Sequence, residues 1–253
     1  MLAAVKRGDS KELAELMRQD PGFKVNMKLD GIGFTLLHYA CLDRRRSAII
    51  PLLLAHPDVD PDVKNLHRRT PFYLACYAGC TACVREMLKD SRVKVNDPDS
   101  GGTTPLYWAA RNGHVDAIRW CISSGSEMDL GTPGEIAKTD AIGWAKRFGK
   151  AEIATLLERF KENPVETRQW VRVELGDELA AEMFALVVFV SDGLLQIKDT
   201  ATPSPAANYF NIARRLPLEL QMVLCRRQVG SAKEIIPGKD SEVAFKRLAR
   251  KLL

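Results

Sequence analysis

Short apolar clusters alternate with polar, turn-forming stretches over the first two thirds of this chain, and the alternation keeps a fixed period. Thr70-Pro71-Phe72-Tyr73-Leu74-Ala75 and Thr104-Pro105-Leu106-Tyr107-Trp108-Ala109 are the clearest openings of an apolar segment. Thr35-Leu36-Leu37-His38-Tyr39-Ala40 is an upstream copy, and Asp140-Ala141-Ile142-Gly143-Trp144-Ala145 a worn downstream one. The steps between the final alanines are 35, 34 and 36 residues. A period in this range implies stacked units, each of which buries its apolar face only against its neighbours.

Inside each copy the pattern predicts a helical hairpin. Thr70 and Thr104 are placed to cap a first helix, with Pro71 and Pro105 in its first turn, where a missing N–H does no harm. Phe72, Leu106, Leu37 and Ile142 then point into the stack, and the alanines let helices approach closely. Gly79, Gly113 and Gly149 follow where the helix must end and the chain reverse. Second apolar helices come next, marked by Val84, Met87 and Leu88, by Ile118, Trp120 and Ile122, and by Ile153, Leu156 and Leu157. Turn-forming stretches such as Asp58–Asp62 and Lys94–Gly102 join the hairpins.

The six-residue boxes resemble the Thr-Pro-Leu-His-x-Ala of ankyrin repeats, and the connections resemble that family's turns and β-fingers. Gly113-His114, Val25-Asn26 and Val95-Asn96 strengthen the resemblance, and Leu2–Asp9 supplies an earlier copy. It implies an all-α ankyrin-repeat solenoid of helical hairpins with short β-finger connections. About five repeats, the first and last atypical, would occupy residues 1–164, followed by a helical C-terminal unit over 165–253. Three departures stand out. Tyr73 and Tyr107 replace the family's histidine, which leaves His38 as the expected polar bridge between turns. Arg44 stands in place of a turn glycine. Pro51 removes a backbone hydrogen bond early in a second helix, so local kinks are expected.

Beyond Pro164 the period disappears. Glu166–Gly176 reads as a short amphipathic helix and Asp177–Val190 as a largely buried one. Residues 200–205 read as a loop, Pro217–Val229 as a helix, Ser231 and Glu234 as a capping box, and Ser241–Leu253 as a closing helix. The simplest role for this unit is to cover the apolar end of the array. Leu216-Pro217-Leu218-Glu219-Leu220 resembles the opening of F-box domains. That resemblance, over residues 216–229, implies an alternative function: a substrate adaptor of a ubiquitin ligase that recruits a Skp1-like protein.

Charge narrows the partners. The formal net charge of +5 is spread evenly, with 24 basic and 21 acidic residues up to 164 and 13 basic and 11 acidic after it. Nothing in that balance calls for nucleic acid. The longest apolar run, Leu179–Val190, is shorter than the roughly 20 residues of a bilayer-spanning helix, so no membrane span is expected. No long apolar stretch follows the basic start, so no signal peptide is expected either. The cysteines lie in apolar, periodic segments, as buried thiols of a reducing compartment do. A cytoplasmic or nuclear protein is the expectation.

Candidate chemistry is thin. Cys76-x3-Cys80-x2-Cys83 has the spacing of iron–sulfur ligands, but Cys76 aligns with Cys41 and Ala110, and Cys83 with Ala48 and Ala117, all small-residue slots of the repeat. Packing is the preferred reading. Arg7-Gly8-Asp9 and Gly8-Asp9-Ser10 match short integrin and hydrolase motifs, yet both fall on the first interhelical turn, without partners for Ser10. Phosphate loops, nucleophile elbows and paired zinc ligands are absent from the sequence. No catalytic residue, cofactor or metal is expected, and the chain reads as a non-enzyme.

In the ankyrin family, finger tips and the exposed side of each first helix form a concave binding face. The resemblance therefore places a protein partner against Phe34, Leu42, His67, Arg69, Tyr77, Arg111, Asn112 and Arg147. Aromatic and arginine anchors make Phe34, Arg69, Tyr77 and Arg111 the first choices among them.

Overall fold

The computed structural model of the chain describes residues 1–20, 22–131 and 140–191 and the isolated positions 213, 221, 224 and 225. Contacts divide the chain into two units, Met1–Arg168 and Gln169–Leu253. Among the described residues the secondary structure is helical, without strands.

The first unit is a row of helical hairpins. Its inner helices are α1 (Leu2–Arg7), α3 (Leu36–Cys41), α5 (Pro71–Ala78), α7 (Pro105–Asn112) and α9 (Ala141–Arg147). The outer ones are α2 (Ser10–Gln19), α4 (Ile50–Leu54), α6 (Thr81–Met87), α8 (Val115–Ser123) and α10 (Ala151–Glu162). Each inner helix packs on the next, α1 on α3, α3 on α5, α5 on α7 and α7 on α9, while α4, α6, α8 and α10 form a second row. Helices this short are marginal in isolation. Packing supplies what length does not. Leu36, Leu37, Phe72, Tyr73, Leu106 and Ile118 are fully buried between the rows, each worth about 1.5–3 kcal/mol of apolar burial.

Caps are formed where the sequence places them. Thr70 Oγ1 accepts from Tyr73 N at 3.1 Å, Thr104 Oγ1 from Tyr107 N at 3.2 Å, and Asp140 Oδ1 from Gly143 N at 2.8 Å. These bonds satisfy N–H groups that the first helical turn leaves open. At the other end of α5, Gly79 is left-handed (φ 65°), and a Cβ there would collide with the His114 ring of the next hairpin. Glycine is required at that position twice over, by conformation and by space.

The second hairpin departs from this plan, as Arg44 and Pro51 foreshadow. Its inner helix ends in right-handed conformation at Leu42 (φ −84°). Asp43 then caps a 3-10 segment, Arg44–Ile49, which leads into α4 with Pro51 in its first turn. The expected kink therefore takes the form of a 3-10 entry. Proline lacks an N–H but is harmless at a helix start.

The connecting fingers follow one design. Leu29 N to Phe34 O (2.7 Å), Asn65 N to Arg69 O (3.1 Å) and Asp99 N to Thr103 O (3.0 Å) close three successive turns. Asp30, Asn65 and Asp99 each accept two further backbone N–H groups inside their own turn. Adjacent fingers are tied by Leu66 N to Ile32 O and Ser100 N to His67 O, both 2.9 Å. On the opposite side of the fingers, Asn26 and Asn96 bridge to the chain one repeat on, through Asp60 N and Asp129 N, both at 3.0 Å.

Three expectations need correction. Tyr73 does bridge turns, since its hydroxyl reaches Asp99 Oδ2 and Thr103 Oγ1 of the next finger; a longer side chain does the histidine's work with different acceptors. Cys80 and Cys83 are joined as a disulfide, because the cap and third helical position of α6 share one face; Cys41, Cys76 and Cys121 are the buried free thiols of the array. Beyond the array, the break expected at Gly176 is absent. One helix, α11, runs from Pro164 to Ser191. A single glycine costs an interior helix about 1 kcal/mol but removes no hydrogen bond, so it does not end the helix by itself.

The expected loop at 200–205, the capping box at Ser231 and the helix Ser241–Leu253 lie outside the described residues. Of the F-box-like segment 216–229, Gln221, Leu224 and Cys225 are described, and they are helical. Among the described residues no helix is long and apolar enough to cross a membrane.

Candidate functional site

Two positions of the repeat build the exposed side of the inner helices. One lies two residues after the repeat alanine and is filled by Leu42, Tyr77, Arg111 and Arg147 in successive copies. The other, one residue before that alanine, is filled by Tyr39, Leu74, Trp108 and Trp144, of which Leu74 is buried and the three aromatics are half-buried. Helix periodicity brings these positions to one face, and stacking brings each copy against the next.

In the last three hairpins the two columns interleave. Tyr77 packs against Trp108 with ring centroids 5.0 Å apart. The Arg111 guanidinium lies 4.5 Å from the Trp108 centroid and 5.2 Å from that of Trp144, so it sits between two indoles of neighbouring repeats. Arg147 lies 5.1 Å from the Trp144 centroid. Phe148 stacks on Trp144 at 5.0 Å and is also within 5.7 Å of Arg111. Tyr77 and Phe148 are 39% and 47% exposed, so the ladder presents ring surface at both ends.

Arginine over indole is a favourable arrangement, worth about 0.5–1 kcal/mol at an exposed site. It also holds a long side chain in place and leaves the polar edge of the guanidinium available for a bidentate acceptor. Among the described residues neither Arg111 nor Arg147 has an ion-pair partner.

Arg69 differs from both. It is half-buried, pairs with Asp99 Oδ2 at 3.4 Å and lies over Tyr73 at 5.3 Å and Tyr77 at 5.7 Å. Burial pushes the Asp99 carboxyl up, but bonds from the Tyr73 and Thr103 hydroxyls and from Thr103 and Gly101 N–H outweigh it and hold the group below its ordinary value. Arg69 thus faces a permanent internal anion. It belongs to the scaffold of the face as much as to its surface.

The other sequence candidates divide. Asn112 is exposed and donates from Nδ2 to Tyr77 O at 3.0 Å, which places it beside the ladder. His67 is exposed at a finger tip, where its carbonyl joins the next finger. Phe34 stacks on His38 at 5.3 Å and meets Tyr39 edge-on, in a separate aromatic group of the second repeat. Leu42, half-buried at the end of α3, contributes no ring or charge. The geometry therefore unites Arg69, Tyr77, Arg111, Asn112 and Arg147 and leaves Phe34, Leu42 and His67 apart.

Sequence reasoning missed Trp108, Trp144 and Phe148. The signal was present, since tryptophan precedes the repeat alanine in two consecutive copies. A large aromatic in a column that elsewhere holds Tyr39 and Leu74 reads as core unless its partner column is read with it.

Comparison with known proteins bears on the whole array. A family model described as ankyrin repeats (3 copies) matches residues 1–98 and 37–132. SMC5-SMC6 complex localization factor protein 1 from Bos taurus and from Homo sapiens is each 36% identical over 107 residues, 42% of this chain and 10% of the relative. Palmitoyltransferase Hip14 from Drosophila melanogaster is 34% identical over 115 residues, 46% of this chain and 17% of the relative. The matched stretch is thus under a fifth of each of these proteins, and their different names share a repeat segment rather than an activity. The repeat period, the hairpin stack with its capped inner helices, and the family match over more than half of the chain agree: this protein belongs to the ankyrin-repeat family.

Proposed function

We propose that this chain is a non-enzymatic protein-interaction module in which the array of residues 1–164 receives a partner on its inner-helix face and residues 165–253 form a helical capping unit. Ankyrin repeats imply protein–protein interaction, and the observation that supports this face as its location is the ladder Tyr77–Trp108–Arg111–Trp144–Arg147. Tryptophan, tyrosine and arginine are the residues that most often carry binding energy at interfaces. Scattered exposed apolar side chains need no explanation, but a contiguous run of rings with cations between them is unlike ordinary surface. The free buried thiols of the array support a cytoplasmic or nuclear setting, with the Cys80–Cys83 bond as the counter-observation.

The test is affinity purification with the full chain carrying Arg111→Glu and Phe148→Ala, beside wild type and an outer-surface control, Lys89→Glu. Partners that bind the face are retained by wild type and by the control and lost from the ladder variant, with helicity unchanged. Partners retained equally by all three proteins would overturn the location. The adaptor alternative has a distinct signature in the same experiment: a Skp1-like protein recovered by all three, because residues 216–229 lie outside the altered face.

A further inference from the structure

We infer that the partner presents an extended acidic peptide segment, whose carboxylates dock on Arg111, Arg147 and Lys150 at the C-terminal end of the array. This rests on the inner-helix face being the binding surface and names the chemistry that the face selects.

The argument is one of charge left open. Lys146 is paired with Glu158, Arg119 with Glu152, Arg69 with Asp99 and Lys64 with Asp97. Arg111, Arg147 and Lys150 have no carboxylate within ion-pair distance among the described residues. Lys150 lies along Gly113, where its side chain would meet an added Cβ at 3.0 Å, so its cation is carried on the same turn of the array as Arg111. Three cations without anions, two of them lying over indole rings, come together at this end of the array, whereas other unpaired cations such as Lys28, Arg44 and Arg68 lie in earlier repeats.

The ladder is also ordered in a way that suits carboxylates. A guanidinium stacked on a ring keeps its in-plane N–H donors, which match a carboxylate bidentately. Neighbouring inner helices lie about 8–10 Å apart, so Arg111 and Arg147 are spaced for acidic residues two or three positions apart in an extended chain, which rises about 3.3 Å per residue. Exposed ring surface on Tyr77 and Phe148 gives the intervening residues an apolar contact.

Single-stranded nucleic acid would use the same two residue types, but the arrangement disfavours it. Bases need open aromatic faces. Here Arg111 lies over Trp108, and Arg111, Arg147 and Phe148 cover Trp144, which leaves exposed ring only at Tyr77 and Phe148, at opposite ends of the ladder and not as successive stacking platforms. The three free cations beside the ladder are few compared with the dense basic stripe of a phosphate-binding surface.

The experiment is a random-peptide display selection on the full chain, followed by fluorescence anisotropy with the selected peptides. Enrichment of Asp and Glu is expected. Binding should weaken about tenfold in Arg111→Gln/Arg147→Gln and with rising salt, while Arg111→Lys/Arg147→Lys should lie between. Circular dichroism and the urea midpoint check that the variants are folded. Selected peptides without acidic bias, no peptides selected at all, undiminished binding by the glutamine variant, or displacement of bound peptide by oligothymidylate would each overturn the acidic-segment assignment. If the purified partner is still lost from the Arg111→Glu/Phe148→Ala variant in that case, the face survives as the docking site and only its acid preference fails.

Discussion

The Tyr73 hydroxyl donates to Asp99 Oδ2 at 2.7 Å, joining the inner helix of one repeat to the finger of the next. Asp99 also holds its own finger closed through Gly101 N and Thr103 N and anchors Arg69. One carboxylate thus couples helix, finger and the inner-helix face. Tyr73→Phe removes a hydrogen bond to a charged acceptor while keeping the ring. Because Asp99 retains its other donors, the expected loss is about 1–2 kcal/mol, read as a lower urea midpoint with an unchanged slope. A loss below about 0.5 kcal/mol would mean that the bridge is decorative.

His38 makes the array sensitive to mild acid. Thr35 N donates to its Nδ1 at 3.1 Å, so the other nitrogen carries the proton and donates to Arg69 O at 3.0 Å. Burial lowers the His38 pKa from 6.5 to about 4, since a charged ring is disfavoured there. The unfolded chain then binds the extra proton first. The associated stability is present above about pH 6.5 and is lost as pH falls towards about 4, by on the order of 3 kcal/mol in all. Urea unfolding at about pH 7.5 and about pH 5 should show a clear drop in wild type and a smaller one in His38→Gln. Equal drops in both proteins would remove His38 from the account.

Two left-handed glycines should respond unequally to alanine. Gly79 (φ 65°) faces the His114 ring, whose Nε2 bonds Tyr77 O at 3.2 Å. Gly102 (φ 73°) has nothing within 4 Å of an added Cβ. Gly102→Ala meets only backbone strain, about 1 kcal/mol, whereas Gly79→Ala adds displacement of His114 and should cost about 2–3 kcal/mol. Thermal unfolding of the pair decides it, and equal shifts would show that His114 moves aside freely.

Arg68 is the single non-glycine residue with positive φ (59°) among those described, in the finger position that Gly33 and Gly102 hold in neighbouring repeats. Arg68→Gly relieves left-handed strain but loosens the unfolded chain, for a net gain of about 0.5–1 kcal/mol. The melting temperature should rise, and partner capture should not change. A fall in melting temperature would mean that the Arg68 side chain contributes more than its backbone costs.

The sequence by itself determined the array. Its period, Thr70 and Thr104 as caps, Gly79 and Gly113 at the turns and the buried columns of Phe72 and Leu106 are all local signals, because a repeat interacts chiefly with copies of itself one period away. Register also aligned Arg111, Tyr77 and Arg147 in one column, and the ankyrin resemblance supplied the expectation that this column faces a partner. What only the tertiary structure decided is which of those residues are already engaged. Arg69 and Arg111 sit one repeat apart and look alike in the chain, yet Asp99 neutralises one, while indoles flank the other and leave its charge open. Tyr73 reads as a lost histidine until its hydroxyl is seen to reach the next finger. In the tail no neighbouring copy supplies a register, so Gly176 read as a break where the helix continues. Periodicity specifies where a side chain stands; the pairing of charges and rings across repeats depends on distances of a few ångströms that no linear pattern encodes.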